Sequence, residues 1–193
     1  FTGFKYIGNC VSDVAADPNK HFVLGYEESY GYLYGEHARD KDAIVTAALV
    51  ACMAQADKRQ GRSLLDRLAA LYDKVGAWSD RLINLVFDPI PGQPAISDAV
   101  MKELREHPPT DMAGVAVDKN IDYLIGIDSL PKENVLQYML ADGSVVCFRP
   151  SGTEPKMKCY ISACGATLAE ADALSERIEQ AFHSFVAQLK EDA

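Results

Sequence analysis

Phe4, Ile7, Val11 and Val14 recur at intervals of three and four, which predicts a helix over residues 4–16. Thr2 and Gly3 precede it, and Asp17-Pro18-Asn19 ends it as a turn. His21-Phe22-Val23-Leu24-Gly25 is a short apolar run closed by glycine and reads as a buried strand. The acidic loop 26–31 leaves its carboxyl end, where α/β sheets gather ligands. Residues 43–60 are apolar nearly all round, through Ile44, Val45, Leu49, Val50 and Met53, so they predict a helix buried between other elements. Ser63 reads as the cap of a helix running to Val75, with Leu64, Leu65, Leu68 and Leu71 on its inner face. Helix, strand and helix make an incomplete α/β layer, whose first strand is expected upstream of Phe1.

Gly76 is the predicted break, separating a domain over 1–76 from one over 77–193. Leu82–Phe87 reads as a strand, and Pro89-Ile90-Pro91-Gly92-Gln93-Pro94 as a rigid bend. A short helix is expected over 98–106 with Val100, Met101 and Leu104 inward. Met112–Val117 and Ile121–Ile127 read as strands joined by a turn at Asp118-Lys119-Asn120. Val135–Leu140 and Ser144–Phe148 flank Ala141-Asp142-Gly143, a hairpin signal. On the next strand Met157, Cys159 and Ile161 alternate with Lys158, Tyr160 and Ser162. Thr167-Leu168-Ala169-Glu170 is a capping box. It opens a long helix whose stripe of Leu168, Ala171, Leu174, Ile178, Phe182, Phe185 and Leu189 reads as a core face. The second unit is thus expected to be an antiparallel sheet backed by two helices.

Composition narrows the function classes. The chain has 193 residues, 48% of them hydrophobic, and a formal charge of −9. That balance argues against nucleic-acid and membrane partners, and no apolar run is long enough to span a bilayer. The five cysteines (Cys10, Cys52, Cys147, Cys159, Cys164) are odd in number and form no C-x-x-C pair, so they read as reduced core residues of a cytoplasmic protein. The four histidines have no metal-ligand spacing. The first residue is Phe1, so the chain is expected to begin inside a longer protein.

Two loops carry candidate chemistry. In 149–158 the charge balance reverses: Arg149, Lys156 and Lys158 stand against Glu154 alone. Ser151 and Thr153 are short donors, Gly152 lets successive N–H groups converge on one anion, and Arg149 can grip two oxygens at once. The pattern suggests a phosphate site; the plain alternative is a basic turn between strands. In the acidic loop, Glu27 and Ser29 alternate and can point the same way on extended backbone. A carboxylate accepts from two adjacent sugar hydroxyls, whereas the alternative is a solvated acidic turn. Arg39-Asp40-Lys41-Asp42 reads as a helix start capped by Asp42.

Arg-Pro-Ser-Gly-Thr-Glu-Pro-Lys at 149–156 resembles the phosphate-binding loop of the α-D-phosphohexomutases, the phosphoglucomutase/phosphomannomutase family. Gly25-Tyr26-Glu27-Glu28-Ser29-Tyr30-Gly31 resembles the same family's sugar-binding loop, and the order agrees. The resemblance implies the family's third domain, α/β/α and missing its start, over 1–76. It implies the C-terminal domain, a TATA-binding-protein-like sheet with helices on one face, over 77–193. Glu27 and Ser29 would then hold two hexose hydroxyls. Arg149, Ser151, Gly152 and Thr153 would hold the phosphate that is not transferred, helped by Lys156 or Lys158. Lys41 matches a lysine near the transferring phosphate. Thr2, Gly3 and Lys5 match the loop that distinguishes the two sugar orientations. Tyr26 departs from the Gly of many members, and Gly31 stands where some branches carry a His. The family's phosphorylated Ser and its Asp-x-Asp-x-Asp loop for Mg²⁺ match nothing in this chain. Mutase turnover through glucose 1,6-bisphosphate is therefore expected only with the missing N-terminal domains, and this chain alone is expected to be inactive. A phosphopentomutase-type member and a non-catalytic sugar-phosphate-binding module are the alternatives.

Overall fold

α1 (Lys5–Ala15) forms on the three-and-four spacing and buries Gly8 and Val11. The structure is a computed structural model that describes residues 3–27, 31–87, 95–127, 130–152 and 154–191; the Pro89–Pro94 bend lies outside these. The chain divides into two compact units, Phe1–Ala70 and Leu71–Ala193.

In the first unit β1 (Leu24–Glu27) pairs antiparallel with β2 (Gly31–Tyr34). Among the described residues this hairpin takes the place of the predicted buried strand, and Val23 and Leu24 are exposed. α2 (Ala43–Lys58) begins where Asp42 Oδ1 accepts from the N–H groups of Ile44 and Val45, at 2.9 and 3.0 Å. α3 (Leu64–Val75) begins at a reciprocal cap: Ser63 Oγ accepts from Asp66 N at 3.1 Å, and Asp66 Oδ2 accepts from Ser63 N at 2.7 Å. Both helices contradict the burial expected of them. Ile44 is 84% exposed and Leu65 76%, and Leu68 and Leu71 are also open. The apolar faces have formed, and among the described residues they stay open. The fully buried residue of α2 is instead Asp57. Its carboxylate accepts from Arg67 Nε and Nη2 at 2.5 and 2.8 Å and from Arg62 Nη2 at 2.8 Å. Arg67 first, then Arg62, hold that carboxyl below the usual range despite its burial.

Gly76 ends α3 with φ +85°, and its N–H bonds back to Tyr72 O at 2.9 Å. The division between units falls inside α3, ahead of that glycine.

The second unit is a six-stranded antiparallel sheet with α4 (Ile96–Glu106) and α5 (Leu168–Glu191) packed into one core. Its strands are β3 (Ala77–Val86), β4 (Asp111–Met112), β5 (Val115–Asp122), β6 (Leu136–Leu140), β7 (Val145–Pro150) and β8 (Lys156–Gly165), in the order β3-β8-β7-β6-β5-β4. Met157, Cys159 and Ile161 face the core as their alternation predicted, as do Val100, Met101 and Leu104 of α4. The mixed α/β fold expected from the sequence is thus present. Of the predicted α5 stripe, Leu168 is exposed and Val186 joins the core. Thr167 and Glu170 exchange both capping bonds at 3.2 Å.

Two strand boundaries differ from the pattern. β3 starts at Ala77, not Leu82; the apolar pattern misses this start because the inward positions that follow Ala77 are polar, and Ser79 Oγ donates to Asp172 Oδ1 at 2.6 Å. Arg81 donates to Ser175, Glu176 and Glu179 of α5. The predicted turn at Asp118-Lys119-Asn120 lies inside β5, which absorbs the polar run with a bulge between Val117 and Lys119. The turn falls at Ala113-Gly114, with φ of 55° and 90°, and Asp111 Oδ1 accepts from Gly114 N at 2.9 Å. The Asp142-Gly143 hairpin forms as predicted, with φ +95° at Gly143.

The cysteines also differ from expectation. Cys159 is buried, and burial raises its thiol pKa, but Cys10 and Cys52 are exposed. At the centre of the core lies Tyr138, whose hydroxyl donates to Leu104 O at 3.0 Å. Burial pushes its pKa up to about 12. A phenol whose folded pKa exceeds its unfolded value contributes stability below pH 10, lost as pH rises towards 12. Alkaline difference spectroscopy of the nine tyrosines is therefore expected to show one phenol ionising last, together with unfolding of this unit. In Tyr138→Phe that final step should be missing.

Candidate functional site

Each unit gathers polar side chains around a hairpin. In the first, register pairs Glu27 with Gly31 across β1 and β2. Paired residues share a face, so Glu27 looks across at a position without a side chain. Lys41 reaches over from the following loop and forms an ion pair with Glu27 Oε1. The Glu27 side chain is only 10% exposed, and its Oε2 is buried without a hydrogen-bond partner among the described residues. An unmatched buried carboxylate oxygen is costly, and a hydroxyl donor would satisfy it.

The loop that carries Lys41 is tied down on both sides. Asp42 N donates to Tyr32 O at 2.8 Å, and Asp42 Oδ2 meets His37 Nε2 at 2.7 Å. That contact, with the capping N–H groups, lowers the Asp42 pKa. Arg39 Nε donates to Ser12 Oγ of α1 at 3.0 Å, and its Nη1 to the carbonyls of Glu36 and Ala38. The approach to α1 is close enough that a methyl group on Gly8 would lie 2.5 Å from Arg39 O. Asp42 caps the helix as the sequence predicted, whereas Arg39 and Lys41 are engaged and not simply solvated. Gly3 precedes α1 with φ +110°, and Lys5 Nζ lies 4.8 Å from the Tyr6 ring centroid. Thr2 and Ser29 lie outside the described residues.

In the second unit the cations lie on the sheet face away from the helices. Register sets Arg149 of β7 directly opposite Lys158 of β8, and Lys158 opposite Asn84 of β3. Two like charges face each other there, a destabilising arrangement in a sheet. Among the described residues neither the Arg149 nor the Lys158 side chain has a hydrogen-bond or ion-pair partner. Lys156 is different: its Nζ pairs with Glu154 Oε2 at 2.5 Å. The connecting loop is braced at its base, where Ser151 N donates to Lys156 O and Phe87 N to Pro155 O, both at 2.8 Å. Ser151 Oγ accepts from Glu154 N at 3.3 Å, and the space around Gly152 is open. Thr153 lies outside the described residues. Asn84 had no local signal; only strand register brings its amide into this row. The arrangement suits an anion: two cations and an amide across three strands, beside a glycine-containing loop.

The chain is similar to known proteins. Residues 1–75 match the family model for phosphoglucomutase/phosphomannomutase, alpha/beta/alpha domain III. A phosphoglucomutase of Staphylococcus epidermidis is 37% identical over 172 residues, covering 83% of this chain and 31% of that protein. These matches support a C-terminal part of a phosphohexomutase of the phosphoglucomutase/phosphomannomutase family. The phosphoglucomutase of Staphylococcus haemolyticus is 36% identical over 171 residues, covering 83% of this chain and 30% of that protein. Among solved structures, the open form of the Paramecium exocytosis-sensitive phosphoprotein pp63/parafusin, a phosphoglucomutase, matches with a TM-score of 0.65 at 22% identity. That match covers 97% of this chain and 33% of the other, and shows a shared fold. The chain thus spans about a third of the length of the phosphoglucomutases it resembles. Among the described residues, no helix is long and apolar enough to cross a membrane, and no group of three or more His, Cys, Asp or Glu is placed to hold a metal ion.

Proposed function

We propose that this chain is the sugar-phosphate-binding portion of a cytoplasmic phosphoglucomutase that interconverts hexose 1-phosphate and hexose 6-phosphate. The observation that supports it best is the Arg149–Lys158–Asn84 row, two facing cations with no counter-ion among the described residues, beside the loop that resembles the family's phosphate site. In this reading Arg149, Lys158, Ser151, Gly152 and Thr153 hold the phosphate that is not transferred, and Asn84 adds a neutral donor at its edge. Lys156, already paired with Glu154, contributes less. In the first unit, Glu27 Oε2 and Ser29 accept from sugar hydroxyls, and Lys41 stands beside Glu27 as a cation for substrate. Gly3 and Thr2 belong to the loop that senses sugar orientation. The described donor set does not fit Mg²⁺. The reading assigns the metal, the phosphorylated serine and turnover through glucose 1,6-bisphosphate to the intact protein, beyond these residues.

Separate ligands test each unit. With backbone amides followed by NMR, inorganic phosphate is expected to shift Arg149–Lys158 saturably and leave β1 and β2 unmoved. Glucose 1-phosphate is expected to shift both segments. Silence of Arg149–Lys158 towards both ligands at millimolar concentration would overturn the phosphate assignment. Silence of Glu27 and Gly31 towards the sugar phosphate would overturn the hydroxyl assignment.

A further inference from the structure

We propose that Gly31 is a positioning residue: its missing side chain seats Lys41 on Glu27 and leaves a single carboxylate oxygen open for a ligand hydroxyl. This rests on the reading of Glu27 as a hydroxyl acceptor. Gly31 is directly opposite Glu27, so any side chain there would share the face of that carboxylate. The Lys41 stem occupies this space. A methyl group built on Gly31 would overlap Cδ and Cγ of Lys41 and stand 3.0 Å from its Cβ. These are the near atoms of the chain, so turning the ammonium does not relieve the clash.

Gly31 is not required by its backbone. It is absent from the glycines with positive φ, and its strand conformation is open to alanine. Its use is therefore space. The Lys41 main chain has little freedom to retreat: its N–H bonds to Asp40 Oδ1 at 2.8 Å, and the next residue both caps α2 and bonds to Tyr32 O of β2. A side chain at position 31 must then expel the lysine side chain. With Gly31, the ammonium takes Oε1 of Glu27 and, among the described residues, Oε2 alone is left to accept. Without it, the carboxylate loses its fixed cation and its single-oxygen geometry.

The first test needs no ligand. In the full chain with ¹³C-labelled lysine, cross-relaxation between Gly31 Hα and the γ and δ protons of Lys41 is expected. It should vanish in Gly31→Ala while the amide shifts of α1 and α2 persist. Its absence from the wild type overturns the proposal. The second test titrates glucose 1-phosphate, read at the amides of β1 and β2. Gly31→Ala and Lys41→Met are each expected to weaken binding roughly tenfold, and the double variant no further, because both remove one contact. Losses that multiply in the double variant overturn the proposal, since Gly31 then acts through the backbone alone. If the wild-type amides ignore glucose 1-phosphate, the hydroxyl reading fails, and the cross-relaxation test still decides whether Gly31 seats Lys41.

Discussion

Phe148→Ala is expected to destabilise the second unit by about 3–5 kcal/mol, the usual cost of removing a buried phenyl ring. The ring is 3% exposed. It lies edge-on to Tyr138 with centroids 5.9 Å apart and tilts against Phe182 of α5 at 4.9 Å. It therefore joins the sheet to a helix, and the cavity left by alanine would open between two elements held apart by their own hydrogen-bond ladders. Trp78 is the only tryptophan and belongs to β3 of the same unit, so urea unfolding followed by its emission reads the effect directly. The midpoint should fall sharply with little change in slope. A loss under about 1 kcal/mol would mean that the core closes over the site, and that this ring is not what fastens α5 to the sheet.

Arg149→Ala, one residue along β7, is expected to do the reverse. It should leave stability unchanged or slightly raised, because it relieves the repulsion with Lys158. It should weaken phosphate binding roughly ten- to a hundredfold, the usual worth of a charge-assisted contact to an ionised group. Titration with inorganic phosphate, followed at the amides of Ser151 and Gly152, measures it. Lys158→Ala should cost nearly as much. Lys156→Ala should cost less, since Glu154 already neutralises that cation. Equal losses at Lys156 and Lys158 would show that the free loop releases Lys156 to the ligand. All the affinities should fall as salt rises, because Arg149, Lys156 and Lys158 are only half-buried.

That neighbouring residues have opposite roles follows from the two-residue period of a strand, and this was legible in the sequence. So were the helix spans, since capping needs only residues three apart: Ser63 with Asp66, Thr167 with Glu170, Asp42 with Val45. The hairpin at Asp142-Gly143 was legible because the turn conformation is set by its own residues. The run Asp118-Lys119-Asn120 misled because a polar stretch looks the same in a turn and on an open strand. Ser79 and Arg81 hid the start of β3 because their partners lie on α5, more than ninety residues on.

Alone, the sequence determined the helices, most core faces of the second unit and the two loops that carry candidate chemistry. Each depends on side chains a few residues apart, whose relation the backbone period dictates. Tertiary structure decided the rest: that α2 and α3 leave their apolar faces open, that Asn84 joins Arg149 and Lys158, and that Lys41 crosses Gly31 to reach Glu27. Each of these depends on which distant segment arrives opposite, and in what register. Pairing over long separations is chosen by burial and hydrogen bonding summed over a whole unit, and no local pattern encodes that sum.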